Sequence, residues 1–390
     1  MTRFGFATAG RIVFGSGRAG DLPAVLANLG VGRILLVTGT RRDRYAAIVD
    51  PLPVALHVAV GSEPSVQLIE DALALLRDGP VDGPVDGPAE AVVAVGGGSV
   101  IDAGKALGIL LGTGGRPLDH LEIVGRGLPL TGPSLPVVAV PTTAGTGAEV
   151  TANAVLTSPE HGRKVSLRSP AILPAVAVVD PELTVSCPPA VTAASGLDAL
   201  TQCLEPLVSV KANPLTDGLA LQGLRQAATG LRAAYRDGSD LDARTAMAVC
   251  SLLGGLSLAN AKLGAVHGLA GVIGGRIPAA HGAICAALLA ATVEVNVRAL
   301  NSRHPDARAL VKYREAAAAL TGQDGATIGD GVDWIRATTH ELGITGLAGL
   351  GVPDTDFGVI AAESAVASST AGNPVGLAED ELVEILERSR

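Results

Sequence analysis

Ala91-Val92-Val93-Ala94-Val95-Gly96-Gly97-Gly98-Ser99-Val100-Ile101-Asp102 is the stretch on which the reading of this chain turns. Its first five residues are small or β-branched and apolar, which fits a strand buried on both faces. Three glycines and a serine follow at once, and residues 100–111 then read as a helix. Strand, glycine turn and helix in that order bring backbone N–H groups to a helix start, where a pyrophosphate is favoured. The run is not the GxGxxG fingerprint, and in isolation an ordinary strand-to-helix turn looks the same.

Working outward, residues 33–38, 137–140 and 175–179 are further apolar runs, and residues 65–77 read as a helix between strands. Continuous apolar strands alternating with helices predict a parallel sheet covered on both faces. The 137–140 run leads into Pro141-Thr142-Thr143-Ala144-Gly145-Thr146-Gly147-Ala148-Glu149-Val150-Thr151. Hydroxyls and glycines at the carboxyl end of a strand suit a ligand of an open α/β sheet, although a capping box accounts for part of the pattern. Two such loops on successive strand ends favour dinucleotide binding.

From Cys187-Pro188-Pro189 onward the texture changes. Residues 191–208, 214–235, 243–258, 283–300, 307–320 and 331–342 are long Ala/Leu-rich stretches that read as helices. The expected organisation is an α/β dinucleotide-binding domain over residues 1–187 and an all-helical metal- and substrate-binding domain over 188–390. A length of 390 residues suits two domains, and 48% hydrophobic residues supply large cores. With aromatics at 2%, those cores must be built from Ala, Val, Leu and Ile. Residues 79–88 nearly repeat Val-Asp-Gly-Pro and read as an exposed loop.

A net charge of −9 argues against a nucleic-acid partner. Met1-Thr2-Arg3 leads into a mixed polar segment rather than a secretory apolar region, and residues 283–295 are too short to span a bilayer and include Glu294. No membrane partner is expected. Four cysteines without a CxxC pair read as reduced thiols of a cytoplasmic protein rather than a zinc ribbon.

Candidate metal ligands lie in the second half. Asp198 and Gln202 are four residues apart on a predicted helix and so share a face. His267 and His281 each precede a glycine and are separated by glycines and Pro278, which places them on successive elements. A carboxylate with imidazoles suits Fe(II) or Zn(II), whereas a lone His here would more often be structural.

The two loops, in this order, resemble those of the iron-containing (group III) alcohol dehydrogenase family. The resemblance runs nearly end to end. Arg11-Ile12-Val13-Phe14-Gly15-Ser16-Gly17 looks like the family's opening hairpin, and Lys164, Pro170, Pro174 and Val179-Asp180-Pro181 are similar to its link into the helical domain. Ser195-Gly196-Leu197-Asp198-Ala199-Leu200 and the His-Gly pairs at His267 and His281 match its metal region, and Asn373-Pro374 its carboxyl-terminal Asn-Pro. The resemblance implies the fold shared with dehydroquinate synthase-like proteins: a parallel-sheet nucleotide-binding domain followed by an all-helical metal-binding domain. It implies that Gly97, Gly98, Ser99 and Asp102 contact the pyrophosphate and nicotinamide side, and that Thr142, Thr143, Thr146, Asn153 and Lys164 hold the nicotinamide ribose and adenosine regions. It also implies a homodimer.

The family's usual ligand set is one Asp and three His, and Gln202 stands here at one His position. Glycerol dehydrogenase-like relatives bind zinc through Asp-His-His, so Asp198, His267 and His281 would suffice, with Gln202 as a weaker neutral ligand. Many relatives carry a further His four residues after the first metal His, where this chain has Gly271. After the second strand, Val37-Thr38-Gly39-Thr40-Arg41-Arg42 lacks the carboxylate that would repel a 2′-phosphate, and Arg41 or Arg42 would pair with one. NADP is therefore expected over NAD.

The metal would polarise the substrate oxygen while hydride moves between nicotinamide and a small alcohol or aldehyde. Leu252, Leu253, Leu258, Ala371 and Gly372 are the expected apolar pocket residues. Three other readings compete. A dehydroquinate synthase-like lyase would need a dense Lys/Arg/His set that is not apparent around Asp198. A metal-independent maleylacetate reductase would tend to carry Asn at 198 and His at 202. A non-catalytic binding protein would fit the loss of two histidines but not intact phosphate loops.

Overall fold

The computed structural model describes residues 3–78 and 88–390, so all of the Val-Asp-Gly-Pro near-repeat but its last residue lies outside the described residues. The chain divides into two compact units. One comprises Thr8–Thr143 and Ala148–Thr184; the other comprises Met1–Ala7, Ala144–Gly147 and Val185–Arg390.

The first unit is α/β. Its strands are β1 (Arg11–Phe14), β2 (Ile34–Gly39), β3 (Val54–Val60), β4 (Ala91–Gly96), β5 (Val137–Pro141), β6 (Asn153–Ser158), β7 (Arg163–Arg168) and β8 (Val176–Val179). Its helices are α1 (Leu22–Asn28), α2 (Ala46–Val49), α3 (Val66–Asp78), α4 (Gly98–Thr113) and α5 (Pro117–His120). Six strands form one sheet in the order β1-β8-β5-β4-β2-β3, and every pairing is parallel.

Strand β4 shows why the apolar runs are continuous. Val92 and Ala94 join one core with Leu35, Val37, Ile101 and Leu107, while Ala91, Val93 and Val95 join the core on the other face with Ile34, Leu36 and Leu22. Alternate side chains thus meet two separate apolar layers, so polar alternation is absent. Each fully buried Val, Leu or Ile contributes about 1.5–3 kcal/mol.

From β2 onward, leaving the β6–β7 hairpin aside, the sheet follows the doubly wound 2-1-3-4-5 order, with β1 added at the edge. The chain winds outward from β2 in both directions, making β2/β4 the topological switch point. Thr38 pairs with Val95 and Gly96 with Pro141, so the residues after Gly39, Gly96 and Pro141 leave the sheet at the same, carboxyl edge.

Several strand details differ from the sequence reading. Arg11–Phe14 is a single edge strand parallel to β8, not the arm of a hairpin. It runs into a 3-10 turn, where the Ala19 N–H donates to Asp180 Oδ2 at 2.9 Å. Strand β3 and the antiparallel β6–β7 hairpin were not expected. Both carry alternating burial, because one face meets the protein and the other does not.

The second unit is helical: α6 (Pro189–Val208), α7 (Pro214–Arg236), α8 (Leu241–Ala261), α9 (Ala265–Arg276), α10 (His281–Arg303), α11 (Arg308–Thr321), α12 (Ile328–Glu341), α13 (Phe357–Ala365) and α14 (Glu379–Arg388). Helix α7 starts at a capping box, in which Asn213 Oδ1 accepts from Thr216 N and Thr216 Oγ1 accepts from Asn213 N. Leu, Ala, Ile and Val dominate the shared core, with Tyr313 and Phe357 among its few aromatics. The apolar stretch within 283–295 belongs to a helix longer than the sequence suggested. By length and composition α8 and α10 would both be able to cross a membrane, but 61% and 72% of their apolar windows are buried inside the protein, as in core helices.

Candidate metal centre

Three helices of the second unit bring the candidate ligands together. Asp198 and Gln202 stand one turn apart on α6, His267 lies in the first turn of α9, and His281 is the first residue of α10. The glycine after each histidine permits close packing. A Cβ at Gly268 would lie 2.0 Å from Thr370 Oγ1, and one at Gly282 would lie 2.1 Å from the Ala194 carbonyl of α6 and 3.0 Å from the Asp198 Cβ. Larger residues there would push α9 or α10 off its neighbours.

Ligand-capable atoms of Asp198, His267, His281 and Cys285 all lie within 4.8 Å of one another. The two imidazole rings are 5.4 Å apart, centroid to centroid. Asp198 and His267 are 2% and 7% exposed. Gln202 Nε2 donates to Asp198 Oδ2 at 2.9 Å, so the amide fixes the carboxylate and leaves the other oxygen free. Glu205, one turn further along α6, accepts from His267 Nδ1 at 2.7 Å and from the Val266 N–H at 2.7 Å. With Nδ1 protonated toward Glu205, the lone pair of His267 sits on Nε2.

Asp198 Oδ1, Gln202 Oε1 and His267 Nε2 are buried and find no hydrogen-bond partner among the described residues. Asp198 Oδ1 and His267 Nε2 are 3.3 Å apart. An oxygen and a nitrogen bound to one tetrahedral cation at about 2.1 Å each would be about 3.4 Å apart. Buried polar atoms are normally satisfied, and a cation between Asp198 Oδ1 and His267 Nε2 satisfies both. The residues present therefore fit a metal ion.

The electrostatics agree. Burial opposes the charged form of Asp198, but His267, His281 and Gln202 outweigh it and hold the carboxyl below its ordinary range. Burial also opposes protonation of His267, yet Cys285, Asp198 and Glu205 draw its pKa well above the ordinary value. His281 is raised in the same way, chiefly by Cys285 against its burial. The anionic groups of the cluster thus demand positive charge.

The nucleotide-side candidates belong to a different kind of surface. Gly97 precedes α4, with Gly98 and Ser99 in its first turn, and Thr143 Oγ1 lies 3.4 Å from where a Gly97 Cβ would stand. Thr142 is buried, and its N–H donates to the Gly96 carbonyl. Asp102 pairs with Lys105 Nζ at 2.9 Å and accepts from Val155 N at 3.1 Å. Lys164 on β7 pairs with Glu63 at 2.6 Å, and Asn153 opens β6. Gly39 ends β2, and Thr40 follows with its methyl 3.5 Å from where a Gly61 Cβ would stand. Arg41 is held by Asp43 through two bonds of 3.0 and 2.9 Å. Thr146 lies in the Ala144–Gly147 segment that groups with the helical unit.

Residues 9–181 match the family model for iron-containing alcohol dehydrogenase, and residues 192–390 match that for the carboxyl-terminal part of the Fe-containing alcohol dehydrogenase family. The chain belongs to the iron-containing alcohol dehydrogenase family. It is 34% identical to a choline dehydrogenase of Bacillus subtilis, over 91% of this chain and 87% of the relative. It is 35% identical to a 1,3-propanediol dehydrogenase of Klebsiella pneumoniae, over 93% and 92%. A crystal structure of 1,3-propanediol oxidoreductase superimposes with a TM-score of 0.88 at 31% identity, covering 100% of both chains.

Membership makes the chain an oxidoreductase of the alcohol dehydrogenase type and implies a nicotinamide cofactor and a metal. Sequence reasoning missed Glu205 and Cys285. Glu205 follows Gln202 by three residues on a helix, a spacing that shares its face. Cys285 follows His281 by four, and its thiol lies 3.6 Å from His281 Nε2. Asn373 also gains a role: its Oδ1 accepts from the Ala265 N–H, which steadies the first turn of α9 beside His267.

Proposed function

We propose that this protein is a metal-dependent, NAD(P)-linked alcohol dehydrogenase, or aldehyde reductase, acting on small alcohols and carbonyl compounds. The observation that carries the reading is the convergence of Asp198 Oδ1 and His267 Nε2, buried and unpartnered, beside His281. Asp198, His267 and His281 would hold the ion, with Gln202 orienting Asp198 and offering its own carbonyl oxygen.

When bound, the cation supplies a Lewis acid for the substrate oxygen and the dinucleotide supplies or accepts hydride. The chain's own residues do the positioning. Gln202 locks one carboxylate oxygen of Asp198, and Glu205 locks the tautomer of His267. Both restraints keep the donors aimed inward without rotamer loss at the moment of reaction. Proton exchange cannot use a side chain at Gly271, where a Cβ would meet nothing within 4 Å.

For the dinucleotide, the Gly97-Gly98-Ser99 turn at the β4 end offers backbone N–H groups at the start of a 16-residue helix. Thr142, Thr143, Thr146, Asn153 and Lys164 are assigned to the ribose and adenosine regions, and Asp102 to the nicotinamide side. NADP is the proposed cofactor. Gly39 presents no carboxylate there, and Arg41, 63% exposed and paired with Asp43, is within the class of exposed pairs that a phosphate competes for. A cytoplasmic homodimer completes the proposal; four free cysteines suit a reducing compartment.

The test is oxidation of NADPH and NADH with a panel of aliphatic aldehydes, using metal-stripped protein with and without added Fe(II) or Zn(II). Turnover restored by metal and faster with NADPH is the expected result. Turnover indifferent to metal would overturn the Lewis-acid role and move the protein toward the maleylacetate reductase type.

A further inference from the structure

We propose that Cys285 is itself a metal ligand, completing an Asp-His-His-Cys set in a chain that carries Gln202 where a third imidazole would stand. The inference rests on the metal reading above and goes beyond it by changing the donor set, and with it the metal preferred.

Four observations carry it. His281 and Cys285 sit at i and i+4 on α10, so their side chains lie on one face, one turn apart. The thiol belongs to the same group of donors as Asp198, His267 and His281, all within 4.8 Å. The Sγ–Nε2 separation of 3.6 Å matches the edge of a tetrahedron, because a sulfur at about 2.3 Å and a nitrogen at about 2.1 Å from one ion are about 3.6 Å apart. Finally, the cluster contains unpartnered, nine-tenths buried atoms on Asp198 and His267.

The other cysteines are differently placed. Cys203 and Cys250 face each other in the helical core, with the Cys203 thiol 3.6 Å from the Cys250 carbonyl. Cys285 alone among the buried three has imidazole and carboxylate neighbours of ligating type.

A neutral amide at 202 leaves the site one imidazole short of the family's usual set of one Asp and three His. A thiolate makes up the fourth donor, with the thiol proton released to solvent as the sulfur–metal bond forms. Sulfur is a soft donor and shifts preference toward Zn(II) and its spectroscopic substitute Co(II), away from Fe(II). Four protein donors still leave room for a fifth, substrate oxygen, since catalytic zinc expands its coordination during reaction.

The experiment loads metal-free, full-length protein with Co(II) and records the near-ultraviolet sulfur-to-cobalt charge-transfer band and the visible ligand-field bands. The wild type should show both. Cys285→Ala should keep ligand-field bands but lose the charge-transfer band, and should bind Zn(II) about tenfold or more weakly in a chelator competition. Cys285→Ser, which keeps the size and a polar atom, guards against misfolding and should also lose the band. Ligand-field bands without a charge-transfer band in the wild type, or a band that survives in Cys285→Ala, would overturn the assignment of Cys285 alone. Failure of the wild type to bind Co(II) at all would overturn it together with the metal reading.

Discussion

Asp102 and Asp198 are both carboxylates on helices that begin a candidate site, and the protein satisfies them in opposite ways. Asp102 gives one oxygen to Lys105 Nζ and the other to the Val155 N–H. Lys164 and Arg41 in the same unit are likewise paired, with Glu63 and Asp43. Asp198, by contrast, gives one oxygen to Gln202 and leaves the other without a hydrogen-bond partner, as do Gln202 and His267 with one atom each. The difference fits the proposed ligands. A dinucleotide is held largely by backbone N–H groups and hydroxyls at strand ends, so the side chains nearby are free to serve the fold. A cation is held by side-chain lone pairs in a dry pocket, so its donors have nothing else to bind.

The sharpest way to break this contrast is Asp198→Ala. It should lower aldehyde reduction roughly 10³-fold, since several kcal/mol of charge stabilisation at the substrate oxygen depend on the metal. Steady-state kinetics with Zn(II) supplied would check it; a fall of less than tenfold would mean that the carboxylate holds nothing essential.

Glu149 tests the satisfied side. Burial raises its pKa from 4.5 to about 7, with its own backbone N–H and Lys105 compensating only in part. The folded state therefore favours the protonated acid. That stabilisation is complete below about pH 4.5 and is lost as pH rises to about 7. Glu149→Gln should be more stable than wild type by about 3 kcal/mol at pH 8, with the gap closing near pH 4.5. Urea denaturation at the two pH values measures it, and an equal effect at both would refute the buried-carboxylate account.

Glu205→Gln keeps an acceptor near His267 but removes the charge. Metal affinity should fall about 10–100-fold, with the fold unchanged by circular dichroism. Unchanged affinity would show that the His267 tautomer is set by something other than Glu205.

The smallest effect expected is at the cofactor. Arg41→Ala should raise the KM for NADPH about fivefold and leave that for NADH alone, in keeping with the small effect of one exposed ionic contact. Equal changes for both would remove the basis for preferring NADP.

How far the sequence can be read depends on burial. Residues 91–95 and 137–140 are legible because both faces of β4 and β5 are covered, giving unbroken apolar runs. Strand β3 is harder to see, since His57 interrupts it and its ring meets the Thr38 hydroxyl at 2.8 Å. Helix α9 escapes detection for another reason: Gly268, Gly271, Gly274 and Gly275 depress its helical propensity, and packing of α9 against α10 and α13 decides instead.

The same holds for the site. Asp198, His267 and His281 are legible from their motifs as candidate ligands, and the structure brings their ligating atoms within 4.8 Å of one another. Cys285 is hard to read because no second cysteine pairs with it in a CxxC motif, whereas its place beside the candidate ligands lies in the i+4 spacing to His281. From spacing alone Gln202 reads as a weak ligand. Its amide nitrogen is engaged in orienting Asp198, a role that depends on side-chain direction rather than on spacing.

The central claim is that the helical unit holds a cation through its buried cluster, and metal content tests it most directly. The protein would be stripped with chelator, reloaded with Zn(II), dialysed, and its zinc per chain measured beside that of His267→Ala. The account predicts about one ion per chain in the wild type and a small fraction of that in the variant. Equal retention by both, or none by the wild type, would contradict it.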